Sequence, residues 1–125
     1  GKILDILEGD GFRIIAMRLL QMSKAKAEEF YAVHKGKPFF DGLVTFMTSG
    51  PVVVAVLEKE DAVARLRKLV GATDPAEAAE GTIRRKFGED VRRNAIHASD
   101  SDENAEAERG VFFSDSEIFT NKYRV

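Results

Sequence analysis

The sequence predicts an α+β or α/β sandwich, a sheet covered by helices. Two observations carry that expectation. Runs rich in β-branched and apolar residues at 12–22 and 51–58 read as strands. Around and between them, apolar residues recur at helical spacing in segments that begin and end with ordinary stop signals.

Each element can be justified in order. "KILDILEGDG" sets Ile3, Leu4, Ile6 and Leu7 on one stripe, and Gly9 and Gly11 end it. "FRIIAMRLLQM" (12–22) reads as a buried strand. "SKAKAEEFYAVH" (23–34) has a serine N-cap, and Ala27, Phe30, Tyr31 and His34 follow helical spacing. "PFFDGLVTFMTSG" (38–50) places Pro38 at a helix start and Phe40, Leu43, Val44 and Met47 on one face. "PVVVAVLE" (51–58) is the clearest strand, with Pro51 tolerated at its first residue. "DAVARLRKLVG" (61–71) turns Ala62, Val63, Leu66, Leu69 and Val70 inward before Gly71 closes it. Residues 72–81 read as a loop with some helical content, and "TIRRKFG" as one or two helical turns. "NAIHA" is a short strand candidate. "SDENAEAERGVFF" is helical, its acidic start matching the positive end of the helix dipole. "SDSEIFTNKYRV" reads as a loosely packed extension.

Length and composition bound the possibilities. A chain of 125 residues with 44% hydrophobic and 32% charged residues suits a single globular domain over 1–125. With no cysteine there are no disulfides, thiolate nucleophiles or zinc–thiolate sites. That fits a reducing, cytoplasmic setting. No charged-then-apolar signal segment is read at the start of these residues. No apolar run approaches the ~20 residues that span a bilayer. The net charge of −2 speaks against a nucleic-acid binder. Basic residues nevertheless cluster in "RLRKL", "RRK" and "RR", so a local anion site fits a mildly acidic protein.

Familiar motifs fail. There is no phosphate-binding P-loop and no paired-histidine metal motif. Asp100, Asp102 and Asn104 imitate the start of a calcium loop, but Ala105 and Val111 stand where glycine and glutamate are needed. No dedicated metal site is expected.

Residues 94–101, "NAIHASDS", carry the chemistry. A histidine followed by a small residue and Ser-Asp-Ser resembles the signature of nucleoside diphosphate kinases. "FYAVHKGKPFFDGLV", "MTSGPVVVAVLE", "VGATDPAEA" and "GTIRRKFG" are similar to that family's segments in the same order. The resemblance covers nearly the whole chain. It implies a ferredoxin-like fold with an antiparallel sheet, and a ping-pong reaction. A nucleoside triphosphate gives its γ-phosphoryl to His97, and a nucleoside diphosphate then takes it. A neutral imidazole nitrogen can attack phosphorus without a separate base, so a lone histidine suffices.

Other roles are implied residue by residue. Glu108 matches a glutamate that fixes the imidazole, and Ser99 a hydroxyl near it. Arg67, Thr73 and Arg84 match phosphate ligands, and Asn94 a group at the sugar and phosphate end. Phe39 matches an aromatic that stacks on the base, opposite an aliphatic residue matched by Val91. Tyr31 matches a tyrosine near the phosphates. Taken singly, His97 would read as a satisfied, partly buried histidine, Arg67 as a solvated helix face and Arg84 as an exposed turn. Their joint occurrence with the histidine motif overturns those readings. Magnesium is expected to arrive with the nucleotide. A homo-oligomer is implied, tetramer or hexamer.

The chain departs from the family in one place. The family's opening strand, with its Lys-Pro-Asp motif and active-site lysine, has no counterpart before the first helix. Either that strand lies outside these residues or the protein is a shortened, catalytically impaired module that binds nucleotides or a partner. Exposed ladder groups on a central strand's neighbours would cost several kcal/mol, which favours the first account.

Overall fold

The computed structural model describes residues 1–120. In order come α1 (Lys2–Gly9), β1 (Arg13–Leu20), α2 (Lys24–Phe30), a 3₁₀ turn (Ala32–His34), α3 (Phe40–Met47) and β2 (Val52–Glu58). Then follow α4 (Ala62–Val70), α5 (Ile83–Phe87), α6 (Asp102–Phe112) and a second 3₁₀ turn (Asp115–Glu117). β1 and β2 pair as an antiparallel sheet. The chain divides into two compact units, each with its own core.

The first unit comprises Gly1–Ile14 and Leu57–Glu106. Its core is Leu7, Phe12, Val70, Ile83 and Ala98, with Ile3, Leu4 and Ile6 from α1 and Ala62, Leu66 and Leu69 from α4 packed against it. Helical spacing gathered these side chains onto single faces, as the sequence pattern predicts. Gly71 ends α4 with φ 92°, a conformation that favours glycine. A Cβ there would stand 2.7 Å from the Thr82 hydroxyl oxygen, so only glycine leaves room for the Thr82 side chain. Thr82 in turn caps α5, its hydroxyl accepting from the Arg85 N–H at 3.3 Å.

The second unit comprises Ile15–Val56 and the residues from Ala107 onward. Its core gathers Ala16, Met22, Ala27, Tyr31, Phe40, Val44, Phe112 and Phe113. Leu20 from β1 and Val52, Val54 and Val56 from β2 pack against it. These are alternate residues, as strand geometry requires of one sheet face. Ser23 caps α2, accepting from the Lys26 N–H at 3.1 Å. Full burial of a side chain such as Phe40 contributes about 1.5–3 kcal/mol.

Several expectations need correction. β1 is not a buried strand: Ile15 and Ala16 are buried, but Met17 and Leu19 are exposed. A continuous apolar run looks the same whether one sheet face or both are covered. Pro38 lies outside α3, which starts at Phe40 with Phe39 at its N-cap. Residues 72–81 hold turns and bends but no helix. "NAIHA" is not a strand. Ala95 takes φ 77°, which breaks an extended run, and the carbonyls beyond it meet guanidinium groups rather than a ladder. The extension from Ser114 is partly ordered by a capping box at Ser114–Glu117 and by the Phe119 N–H donating to the Ile15 carbonyl at 2.8 Å. Its last residues, 121–125, lie outside the described residues.

Candidate active site

In the first unit, His97 is exposed on an irregular segment between two anchored carbonyls. Arg84 Nη2 donates to the Ile96 carbonyl at 2.8 Å. Arg67 Nη1 donates to the Ala98 carbonyl at 3.1 Å. The residues on either side of the histidine are therefore each held by an arginine. Two apolar side chains fix the same points from within, since Ala98 is in the core and Ile96 packs against it. Ala95, with its positive φ, sets the direction of the chain two residues before the histidine.

The two arginines differ in setting. Arg67 is exposed on α4. Arg84 is only 6% exposed, and its Nη1 also donates to the Gly71 carbonyl at 3.2 Å. Its Nε is buried with no hydrogen-bond partner among the described residues. Burial pushes the Arg84 guanidinium below the ordinary arginine range, and the nearby charge of Arg67 adds to the effect. Two cations thus sit near one histidine and repel each other, an arrangement that an anion would relieve.

Asp100 is exposed, and its carboxyl is held below the usual range. The largest cause is the Asn104 amide, donating at 2.6 Å; its own backbone N–H, Arg67 and His97 add smaller contributions. Ser99 is partly buried between Ala98 and Asp100. Asn94 joins two other predicted residues, its amide donating to the Thr73 and Val91 carbonyls, each at 3.2 Å. The turn holding Val91 is tight: Asp90 accepts from the Arg92 and Arg93 N–H groups at 2.9 and 2.7 Å. Thr73 is exposed, and Val91 is 61% exposed.

The second unit holds the other predicted residues. Tyr31 is buried at 3%, and its phenol is pushed up to about 12, first by burial and then by the Glu108 carboxylate. Glu108 itself is partly buried on α6. The adjacent phenylalanines divide as the helical stripe predicts: Phe40 is in the core and Phe39 is 44% exposed. Sequence reasoning weighed Asp100 and Asn104 only as the start of a failed calcium loop and not as partners of each other, although a spacing of four residues was a signal. It also read His34 only as part of a helical stripe.

A family model described as "Nucleoside diphosphate kinase" matches residues 1–118. The chain belongs to the nucleoside diphosphate kinase family.

Relatives and solved structures agree. The nucleoside diphosphate kinase of Methylobacterium radiotolerans is 58% identical over 118 residues, covering 94% of this chain and 84% of that protein. The one from Chlamydia abortus is 59% identical with the same coverage. The crystal structure of the Aquifex aeolicus enzyme superposes with a TM-score of 0.93 at 52% identity, covering 94% of this chain and 86% of that one. A halophilic nucleoside diphosphate kinase from Halobacterium salinarum, in complex with CDP, gives 0.91 at 43% identity, covering 96% and 80%. The α+β, ferredoxin-like fold is therefore that of the nucleoside diphosphate kinases. The chain is a phosphotransferase of this kind, an enzyme that binds nucleotides as substrates. Among the described residues no helix is long and apolar enough to cross a membrane.

Proposed function

We propose that this nucleoside diphosphate kinase works by a ping-pong mechanism through a phosphohistidine at His97. The observation that carries the reading is the exposed imidazole between two carbonyls gripped by Arg67 and Arg84. A ring nitrogen of His97 attacks the γ-phosphorus. The bond to the bridging oxygen breaks, and the nucleoside diphosphate leaves with that electron pair. A terminal oxygen of a second nucleoside diphosphate then attacks the phosphohistidine and returns the imidazole. The protein's part is to position the groups and offset charge, because the phosphoryl oxygens carry it throughout.

Arg67 has one N–H on a carbonyl and an otherwise exposed fork, which suits a phosphate oxygen. Arg84 adds a second cation, and Thr73 a hydroxyl. Asn94 serves the sugar end, and Phe39 and Val91 the base, whose π-face any aromatic can meet with little discrimination. Tyr31 serves the phosphates. Glu108 takes the family's role of fixing the imidazole, and Ser99 that of a hydroxyl near it. The CDP in the halophilic relative supports a diphosphate acceptor, pyrimidine included. Among the described residues no group of three or more His, Asp or Glu side chains gathers to hold a cation. Magnesium's place in this proposal is on the nucleotide, with phosphate oxygens and water as ligands. We place the enzyme in the cytoplasm as a homo-oligomer, tetramer or hexamer.

The test is direct. Incubated with γ-labelled nucleoside triphosphate, the protein should take up acid-labile, base-stable label. His97→Ala should take up none and show no turnover. Label retained in His97→Ala would place the nucleophile elsewhere.

A further inference from the structure

The proposed reaction uses Arg84 and leaves its neighbour Arg85 without a task. Arg85 is exposed on α5, yet its guanidinium has defined partners. Nη1 donates to the Ala76 carbonyl at 3.1 Å, and Nη2 pairs with the Glu80 carboxylate at 3.3 Å. Arg84, one residue earlier, is buried and donates to the Gly71 carbonyl at 3.2 Å. Consecutive helical residues point about 100° apart, so two neighbouring arginines can reach the two ends of one segment.

That segment, Gly71 to Ala76, carries Thr73. α5 holds both of its ends, and Asn94 holds its middle, the amide donating to the Thr73 carbonyl at 3.2 Å. Inside it, the Ala76 N–H donates to the Asp74 carboxylate at 3.0 Å, which closes a turn directly after Thr73. Pro75 is buried, and Gly88, just past α5, leaves it room: a Cβ there would stand 2.5 Å from the Pro75 ring. Without Arg85 the Gly71 end is still gripped by Arg84, but the Ala76 end loses its charged donor. The Glu80 side chain is 88% exposed, and an ion pair so open to water contributes little to stability. Placement of a ligand group is far more sensitive, since a shift of about 1 Å can cost about 100-fold in rate.

We propose that Arg85 is a positioning residue: through the Ala76 carbonyl it fixes the segment that presents the Thr73 hydroxyl to the phosphates of the nucleotide. The inference rests on the reading of Thr73 as a phosphate ligand. It gives the second arginine of the basic run a task that needs no contact with substrate.

The experiment measures kcat and KM for ATP, with GDP as acceptor, together with urea unfolding midpoints, in a double-mutant cycle of Arg85→Ala and Thr73→Ala. Arg85→Ala should raise the KM about fivefold, with kcat changed less than twofold and the midpoint nearly unmoved. In the Thr73→Ala background the same change should alter the KM less than twofold. Arg85→Met keeps the aliphatic stem without a donor, should match Arg85→Ala, and decides the matter if the alanine variant fails to fold. Glu80→Gln and Lys86→Ala should leave the KM within twofold, because neither removes the grip on Ala76. A KM unchanged in Arg85→Ala and Arg85→Met, while Thr73→Ala raises it, overturns the proposal and leaves the phosphate reading standing. A KM unchanged in Thr73→Ala removes both together. An equal rise from Arg85→Ala with and without Thr73, or an equal rise from Lys86→Ala, shows that Arg85 acts as a charge rather than through the segment, and overturns the proposal as well.

Discussion

Arg84 spends its guanidinium on the Gly71 and Ile96 carbonyls, whereas Arg67 gives the Ala98 carbonyl one N–H and stays exposed. The two substitutions should therefore separate. Arg67→Ala should lower kcat/KM about 100-fold or more, through lost transition-state charge stabilisation, and move the urea midpoint little. Arg84→Ala should also lower stability by about 2–4 kcal/mol, because two part-buried carbonyls, those of Gly71 and Ile96, lose their charged donors. Steady-state kinetics and urea unfolding on the same preparations test both. Tyr31 makes a prediction in pH. Its phenol titrates at about 12 in the fold against 10.0 ordinarily, because burial and the Glu108 carboxylate disfavour the phenolate. The folded pKa is raised, so this contribution is fully present below pH ~10 and is lost as pH climbs through ~12. The loss amounts to roughly 2–3 kcal/mol. Tyr31→Phe should flatten that part of the stability–pH curve; a curve identical to the parent's would show that the phenol does not couple to folding.

At the scale of elements, caps and close approaches decide where the site begins and ends. α6 opens just beyond the histidine segment, with the Ala105 N–H on the Ser101 carbonyl at 2.8 Å and the Asn104 N–H on the Ser101 hydroxyl at 3.1 Å. Ser101→Ala should cost about 1 kcal/mol, read as a lower midpoint in chemical unfolding, and loosen the turn that carries Asp100. The helices were legible because their apolar spacing and the Ser23 cap are local facts. "NAIHA" was not legible as irregular chain. Its composition suits a strand, and nothing nearby in sequence announces that Arg84 and Arg67, from distant elements, take its carbonyls. Of the site, the histidine signature and the division between Phe39 and Phe40 could be read from sequence. The burial of Arg84 could not, because a run such as "TIRRKFG" does not say which arginine turns inward.

At the scale of the whole molecule, two cores form within 125 residues, and the β1–β2 sheet leaves Met17, Leu19 and Val53 exposed at 51%, 69% and 54%. Apolar side chains exposed on a sheet are a site for association, and the proposed homo-oligomer provides it. Light scattering in dilute solution should give a mass that is a multiple of 13.9 kDa. Leu19→Lys should shift the mass downward if this face takes part, and a monomeric parent would contradict the oligomer.

The sequence by itself determined the helical stripes, the two strands, the caps and the histidine signature, because each depends on residues a few positions apart. Only the tertiary structure decided which carbonyls the arginines hold, that Met17 and Leu19 of β1 stay exposed, and that His34 reaches Phe39. Those outcomes depend on how far the backbone folds back and on which polar groups find partners once water is excluded. No local pattern records either.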